Sequence, residues 1–234
     1  MTQTPEELQD IVRQGSLLAD VPRASLETLI SEGRDRALTK GQILFQKGDP
    51  GDFVAVVLSG CLKVSAYSPS GHETVLNLLR QGDVAGELAV IDGAERSADA
   101  SALEATELLI LSRGSFNRLL ESDVEFAAGV ARALCTKLRT TSDALEATTL
   151  DMSRRVATSL LRLAGQHSEE DDGGDLSCEI AIDQGTLARY CGLTRSNLNR
   201  VLKRFETAGA SRHEKGVLHI LDTDWLEDYA LSED

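Results

Sequence analysis

Between Ala37 and Ser112 the apolar residues fall into short β-rich runs: Phe53–Leu58, Leu62–Tyr67, Thr74–Leu79 and Leu108–Leu111. Turn-forming clusters separate them: Asp49-Pro50-Gly51-Asp52, Ser59-Gly60, Pro69-Ser70-Gly71 and Gln81-Gly82-Asp83. Many short strands at this spacing predict a barrel or a double-sheet, jelly-roll-like domain. Before them, Thr4-Pro5-Glu6-Glu7 reads as a helix start, with proline at the first helical position, and a second short helix is expected around Leu26–Glu32. Helical spacing returns near Ser115. From Asp123 to Met152 the chain has no proline and one glycine, Gly129, and a long helix is expected over 123–150. Ala127, Ala131, Leu134, Leu138, Thr141, Leu145, Thr148 and Met152 alternate steps of four and three along it. That 3.5-residue period favours a parallel dimer seam over a helix packed only on its own domain.

Asp151 opens a further amphipathic helix, Met152–Leu163, followed by an acidic loop over Gly165–Asp175. The last part reads strand (Cys178–Ile182), helix (Gln184–Cys191), turn at Gly192, helix from Thr194 to about Ala208, and a hairpin around Glu214-Lys215-Gly216. A closing helix carries Trp225 and Tyr229. The expected class is α+β, with a β-rich domain over 1–122, a dimerisation helix over 123–150 and a winged helix-turn-helix over 151–234. No internal repeat is present.

Composition excludes several classes. No run of about 18 apolar residues exists, so no membrane span or membrane partner is expected. The polar, acidic start MTQTPEELQD does not resemble a secretory signal, and a cytoplasmic location is expected. Cys61, Cys135, Cys178 and Cys191 form no CxxC pair, which favours reduced thiols over disulfides or a metal site. No nucleophile–base–acid set or phosphate loop of the P-loop kind is found, so an enzyme is not expected. The net charge of −14 argues against nucleic acid only on average. From Gln184 to Gly216 seven basic residues face two acids. Local potential governs phosphate contacts, because salt screens charges beyond roughly 10 Å.

In that basic stretch Asp183 and Thr194 read as N-caps of two helices joined by a tight turn. Leu187, Ala188, Leu193, Leu198, Val201 and Leu202 supply the inner face. Arg195, Ser196, Asn197, Asn199 and Arg200 are expected on the outer face, behind the cap Thr194. These side chains suit base edges in the major groove, arginine for guanine and asparagine for adenine. Lys203, with Arg204 and Lys215, suits phosphates, which position the protein without specifying sequence.

A second constellation lies in Gly86-Glu87-Leu88 and Arg96-Ser97-Ala98. Arg96 offers a charged fork to a phosphate, Ser97 a hydroxyl, and Glu87 an acceptor for a ribose hydroxyl. Amides at the start of the connecting helix can also face an anion. Taken alone, Glu87 and Arg96 read more readily as an internal salt bridge.

Together these segments resemble the family of the catabolite activator protein and the oxygen-responsive FNR regulators, in matching order from about Leu17 to Leu221. Phe45-Gln46-Lys47-Gly48-Asp49 and Val57-Leu58-Ser59-Gly60 carry the family's strand-turn pattern. The resemblance implies a cyclic-nucleotide sensor, with Gly86, Glu87, Leu88, Arg96, Ser97 and Ala98 as its phosphate-binding cassette. Glu87 would hold the ribose 2′-OH, and Arg96 and Ser97 the cyclic phosphate. Thr141 and Ser142 match the pair that touches adenine in cAMP-responsive members, the serine reaching across from the partner subunit. Lys137 stands where the catabolite activator carries arginine, and Ser196 where it carries an acid. In the reader, Arg195 and Arg200 match guanine-contacting arginines. Double-stranded DNA, a second copy of the chain and RNA polymerase are the implied partners.

The effector implied is cAMP, with no metal. cGMP is the alternative, since hydroxyls serve either base edge, and a ligand-independent DNA-binding member is another. A binding module regulating some other protein would leave the basic helix-turn-helix unexplained. No cysteine precedes Cys61, which excludes the iron-sulfur branch, and the chain lacks a haem-ligand set; His72, just past a turn, reads as a surface residue. On this reading ligand binding draws Thr141 and Ser142 onto the base, and a hinge near Leu150–Met152 reorients the reader.

Overall fold

The computed structural model describes residues 5–15, 17–165 and 178–232. Two compact units result, residues 1–139 and 140–234. The first opens with α1 (Pro5–Gln14) and α2 (Arg23–Glu32), so α2 begins three residues earlier than the apolar pattern predicts. The strands follow: β1 (Arg34–Leu38), β2 (Ile43–Phe45), β3 (Phe53–Ser59), β4 (Leu62–Tyr67), β5 (Glu73–Leu79) and β6 (Val84–Ala85). A short helix, α3 (Glu87–Asp92), separates these from β7 (Asp99–Ala102) and β8 (Thr106–Ser112). Helices α4 (Arg113–Ser122) and α5 (Val124–Ala147) come next.

The strands form two four-stranded antiparallel sheets, β1-β8-β3-β6 and β2-β7-β4-β5. Period-two alternation divides β3 and β8 between two cores. Ala55, Val57 and Leu108 point inward and pack with Leu44, Phe45, Leu62, Leu79 and Ala100 of the other sheet. Val54, Val56, Leu109 and Leu111 point outward and are covered by Leu18, Leu26, Phe116 and Phe126 of the helical segments. Phe116 and Phe126 meet edge to face at 5.4 Å. This is the jelly-roll-like double sheet that the spacing of short strands predicts.

Asp123 starts α5. Its Oδ1 accepts from the amides of Glu125 and Phe126 at 3.0 and 3.1 Å, and the Ser25 hydroxyl donates to its other oxygen. Those bonds, led by Ser25, hold the carboxyl below its ordinary pKa. The helix ends at Ala147, three residues short of the expected end at 150. Thr148 and Thr149 turn their hydroxyls back to the carbonyls of Leu145 and Glu146, at 2.6 and 2.7 Å, and their amides make tight i−3 bonds. Asp151 then caps the next helix by accepting from the amides of Ser153 and Arg154. Side chains that satisfy the backbone locally thus stop α5, although the apolar period continues. Thr148 lies in the turn, and Met152 belongs to the following helix.

The second unit contains α6 (Met152–Gly165), β9 (Cys178–Ala181), α7 (Gln184–Tyr190), α8 (Arg195–Thr207), β10 (Ser211–Glu214), β11 (Val217–Ile220) and α9 (Thr223–Leu231). Most of the expected acidic loop lies outside the described residues. The three strands pair antiparallel in the order β10-β11-β9. Lys215 and Gly216, with φ of 51° and 82°, form the two-residue turn between β10 and β11. Two positive φ values match the right-handed twist of a hairpin. Phe205 of α8 anchors α9 through edge contacts with Trp225 and Tyr229, both at 5.3 Å.

Candidate functional site

The first site forms where α3 leaves the double sheet. The loop after β2 is zipped to the segment before β7: the Arg96 amide donates to Asp49 O and the Gly48 amide to Arg96 O, each at 2.9 Å. Asp99 Oδ1 accepts from the Lys47 amide at 2.6 Å. This clamp aims the Arg96 side chain inward, between the faces of Phe45 and Phe53, at 4.3 and 4.6 Å from the ring centroids. Its Nη1 donates to Gly86 O and its Nη2 to Phe53 O, both at 2.7 Å. Nε is enclosed without a partner. Arg96 is 2% exposed and makes no salt bridge among the described residues. Burial therefore pulls its pKa down, against the opposing fields of Asp52, Glu87 and Asp49.

Glu87, the first residue of α3, is also 2% exposed. Its partner is Lys137 of α5, at 2.5 Å, and the internal Glu87–Arg96 pair considered from sequence does not form. The two groups are thus separately held, the carboxylate by α5 and the guanidinium by carbonyls and aromatic faces. Gly86 joins them at φ 86°; a Cβ there would lie 2.1 Å from Arg96 Nη1. Asp83, two residues before Ala85, is raised by burial, with Lys137 and Arg80 pulling the other way. Ala98 is buried, whereas Leu88 and Ser97 are exposed. The structure therefore brings Gly86, Glu87, Arg96 and Lys137 together around a buried cation and carboxylate. Thr141 and Ser142 lie exposed on the part of α5 that belongs to the second unit. The sandwiching pair Phe45 and Phe53 was missed from sequence, because nothing in linear order links either ring to Arg96.

The second site is the α7–α8 pair. Asp183 accepts from the amides of Gly185 and Thr186 and from the Thr186 hydroxyl, at 2.8, 3.0 and 2.7 Å. Thr194 accepts from the Asn197 amide at 3.3 Å. Leu198, Val201, Leu202 and Phe205 bury the inner face of α8. Arg195, Ser196, Arg200 and Lys203 are exposed on the other side. Asn197 and Asn199 correct the sequence expectation: each is half-buried on a flank, and Asn199 Oδ1 is enclosed without a partner. At 100° per residue these two positions border the buried stripe, while Thr194, Arg195, Ser196, Arg200, Lys203 and Arg204 stay exposed. Arg195 rests on Gln184 Oε1 at 3.4 Å, and Arg200 donates to Met152 Sδ at 3.5 Å. Neither contact was foreseen.

Residues 35–123 match the cyclic nucleotide-binding domain family, and residues 154–229 match the Crp-like helix-turn-helix domain family. A cyclic AMP receptor protein of Thermus thermophilus is 30% identical over 206 residues, covering 88% of this chain and 92% of its own. The chain belongs to the CRP/FNR family of transcription regulators. A CRP-like cAMP-activated global transcriptional regulator of Mycobacterium tuberculosis is 26% identical over 220 residues, covering 94% of this chain and 98% of its own. Among solved structures, a CRP/FNR-family transcriptional regulator from Thermus thermophilus superposes with a TM-score of 0.67 at 26% identity, over 86% of this chain and 100% of that one. The CRP/FNR membership makes this chain a DNA-binding transcription regulator with a cyclic-nucleotide-binding domain, and the family is one of regulators rather than enzymes. No described helix is long and apolar enough to cross a membrane. No group of metal-ligating side chains occurs among the described residues.

Proposed function

We propose that the chain is a homodimeric regulator whose operator binding is controlled by cAMP held at Gly86, Glu87, Leu88, Arg96, Ser97 and Ala98. The observation that carries this reading is Arg96, a buried guanidinium without a carboxylate partner and with an enclosed, unpaired Nε. A buried charge without a counter-ion is costly, and an anion arriving beside it recovers that cost. A cyclic phosphate supplies the anion, and Glu87, freed in part from Lys137, accepts from the ribose 2′-OH. Because Lys137 sits on α5, ligand at Glu87 acts directly on the helix that carries Thr141 and Ser142, the proposed base contacts. A ligand must favour the DNA-competent state to switch it.

The dimer is supported by α5 itself: Leu138 and Leu145, one heptad apart, are 68% and 70% exposed in the single chain. Pairing would set two copies of α8 for successive major grooves, roughly 34 Å apart. Thr194, Arg195, Ser196, Asn197, Asn199, Arg200 and Lys203 remain the proposed reader set, with Arg195 and Arg200 on guanine and Lys203 on phosphate. RNA polymerase is the proposed protein partner, in keeping with the family.

The test is calorimetric titration of the chain with cAMP and, separately, cGMP. Binding of cAMP weakened about 100-fold in Arg96→Ala and Arg96→Lys is expected, because a charge-assisted fork contributes ~1.5–3 kcal/mol. Equal or tighter binding of cGMP would move the assignment to guanine. Absence of binding by either nucleotide would leave a ligand-independent DNA-binding protein.

A further inference from the structure

Neither the nucleotide pocket nor the proposed DNA contacts account for the meeting of Arg200 and Met152. Met152 is the first residue of α6, directly after the turn that ends α5 and beside the Asp151 cap. Its Sδ accepts from Arg200 Nη2 at 3.5 Å. Arg200 is exposed and Met152 half-buried, and the contact between them lies at the surface of the second unit. A thioether is a weak acceptor and holds a guanidinium loosely. A sulfoxide in its place is polar and presents a strong oxygen acceptor at the same spot.

We propose that Met152 is an oxidation site that gates the reader: conversion of its thioether to the sulfoxide tightens the hold on Arg200 and withdraws that arginine from DNA. The inference rests on the reading of Arg200 as a DNA contact. The oxidant is a peroxide. A sulfur lone pair attacks one peroxide oxygen, the S–O bond forms as the O–O bond breaks, and the departing hydroxide takes up the remaining proton as water. Sulfur loses two electrons and the peroxide gains them. The product is reducible by the methionine sulfoxide reductase class of enzymes, so the gate is reversible.

The chain has two methionines, Met1 and Met152, which keeps the experiment clean. Cys135 is exposed and competes for peroxide, so the full chain carries Cys135→Ser. The probe is the duplex that the untreated protein, with saturating cAMP present, selects from a pool of random duplexes, with affinity read by fluorescence anisotropy in the same buffer. Treatment with hydrogen peroxide should add one oxygen to the peptide containing Met152 and weaken binding about tenfold, the scale of one arginine–guanine contact. Sulfoxide reductase should restore it. Met152→Leu, which keeps Met1, should bind alike with and without peroxide, and Met152→Gln, with a carbonyl acceptor, should bind weakly without treatment. Equal binding by oxidised and untreated protein overturns the proposal, as does a Met152 that resists peroxide. If the untreated protein selects no duplex with or without cAMP, the DNA reading of Arg200 falls and takes this proposal with it.

Discussion

Gly86 and Arg96 are in direct contact, with Arg96 Nη1 donating to Gly86 O at 2.7 Å. Gly86→Ala would add a Cβ 2.1 Å from Arg96 Nη1 at a φ of 86°, so we expect a loss of ~1–3 kcal/mol of stability, read by urea unfolding, together with weaker nucleotide binding. The residue types of this cassette were legible in the sequence, as was the need for a charged fork beside an acceptor. Their partners were not. Glu87 could pair with any nearby cation, and only the fold decides that Lys137, fifty residues away, takes it. The Phe45–Arg96–Phe53 stack is likewise a product of the loop clamp on Asp49 and Arg96. Asn197 and Asn199 show the reverse problem: polar character suggested full exposure, but helical geometry sets both on the edge of the buried stripe of α8.

Among the elements, α5 and α8 were visible from period and capping residues, while the end of α5 was not. The seam continues in apolar pattern through Thr148 to Met152, but Thr148, Thr149 and Asp151 satisfy the backbone locally and break it. Leu138→Lys with Leu145→Lys should leave the secondary structure of the single chain unchanged by circular dichroism, since both side chains are exposed, yet give a monomer in analytical ultracentrifugation. An unaltered dimer would remove α5 as the seam. Asp183→Ala should cost ~1 kcal/mol by loss of the α7 cap. Burial pushes the Asp183 carboxyl up, but bonds from Thr186 and Gly185 and the nearby Arg189 bring it below its ordinary value. A depressed carboxylate stabilises above its unfolded pKa, and that contribution is lost as pH falls through the folded value. The Asp183→Ala variant should therefore show a shallower acid loss of stability than the parent.

At the scale of the whole molecule, a net charge of −14 coexists with a basic reader, so affinity for DNA should fall steeply with salt. Two of the three buried thiols give a second global signature. Burial pushes Cys61 and Cys191 from 9.0 up to about 12. Each thiol is neutral when folded and ionises more readily when unfolded, so stability should fall as pH rises from about 9 toward 12. Cys61→Ala should flatten that alkaline slope in thermal denaturation. The order of elements was legible over almost the whole chain, because short strands, caps and turn residues each act locally. The linkage of pocket to helix through Glu87 and Lys137 was not, since it depends on packing across the fold.

The most direct test of ligand control is the affinity of the purified chain for a selected duplex, measured by anisotropy with and without saturating cAMP. Binding that tightens at least about tenfold with cAMP, and fails to respond in Arg96→Lys, is the result expected if the nucleotide prefers the DNA-competent state. Equal affinity in the presence and absence of cAMP and cGMP would contradict it.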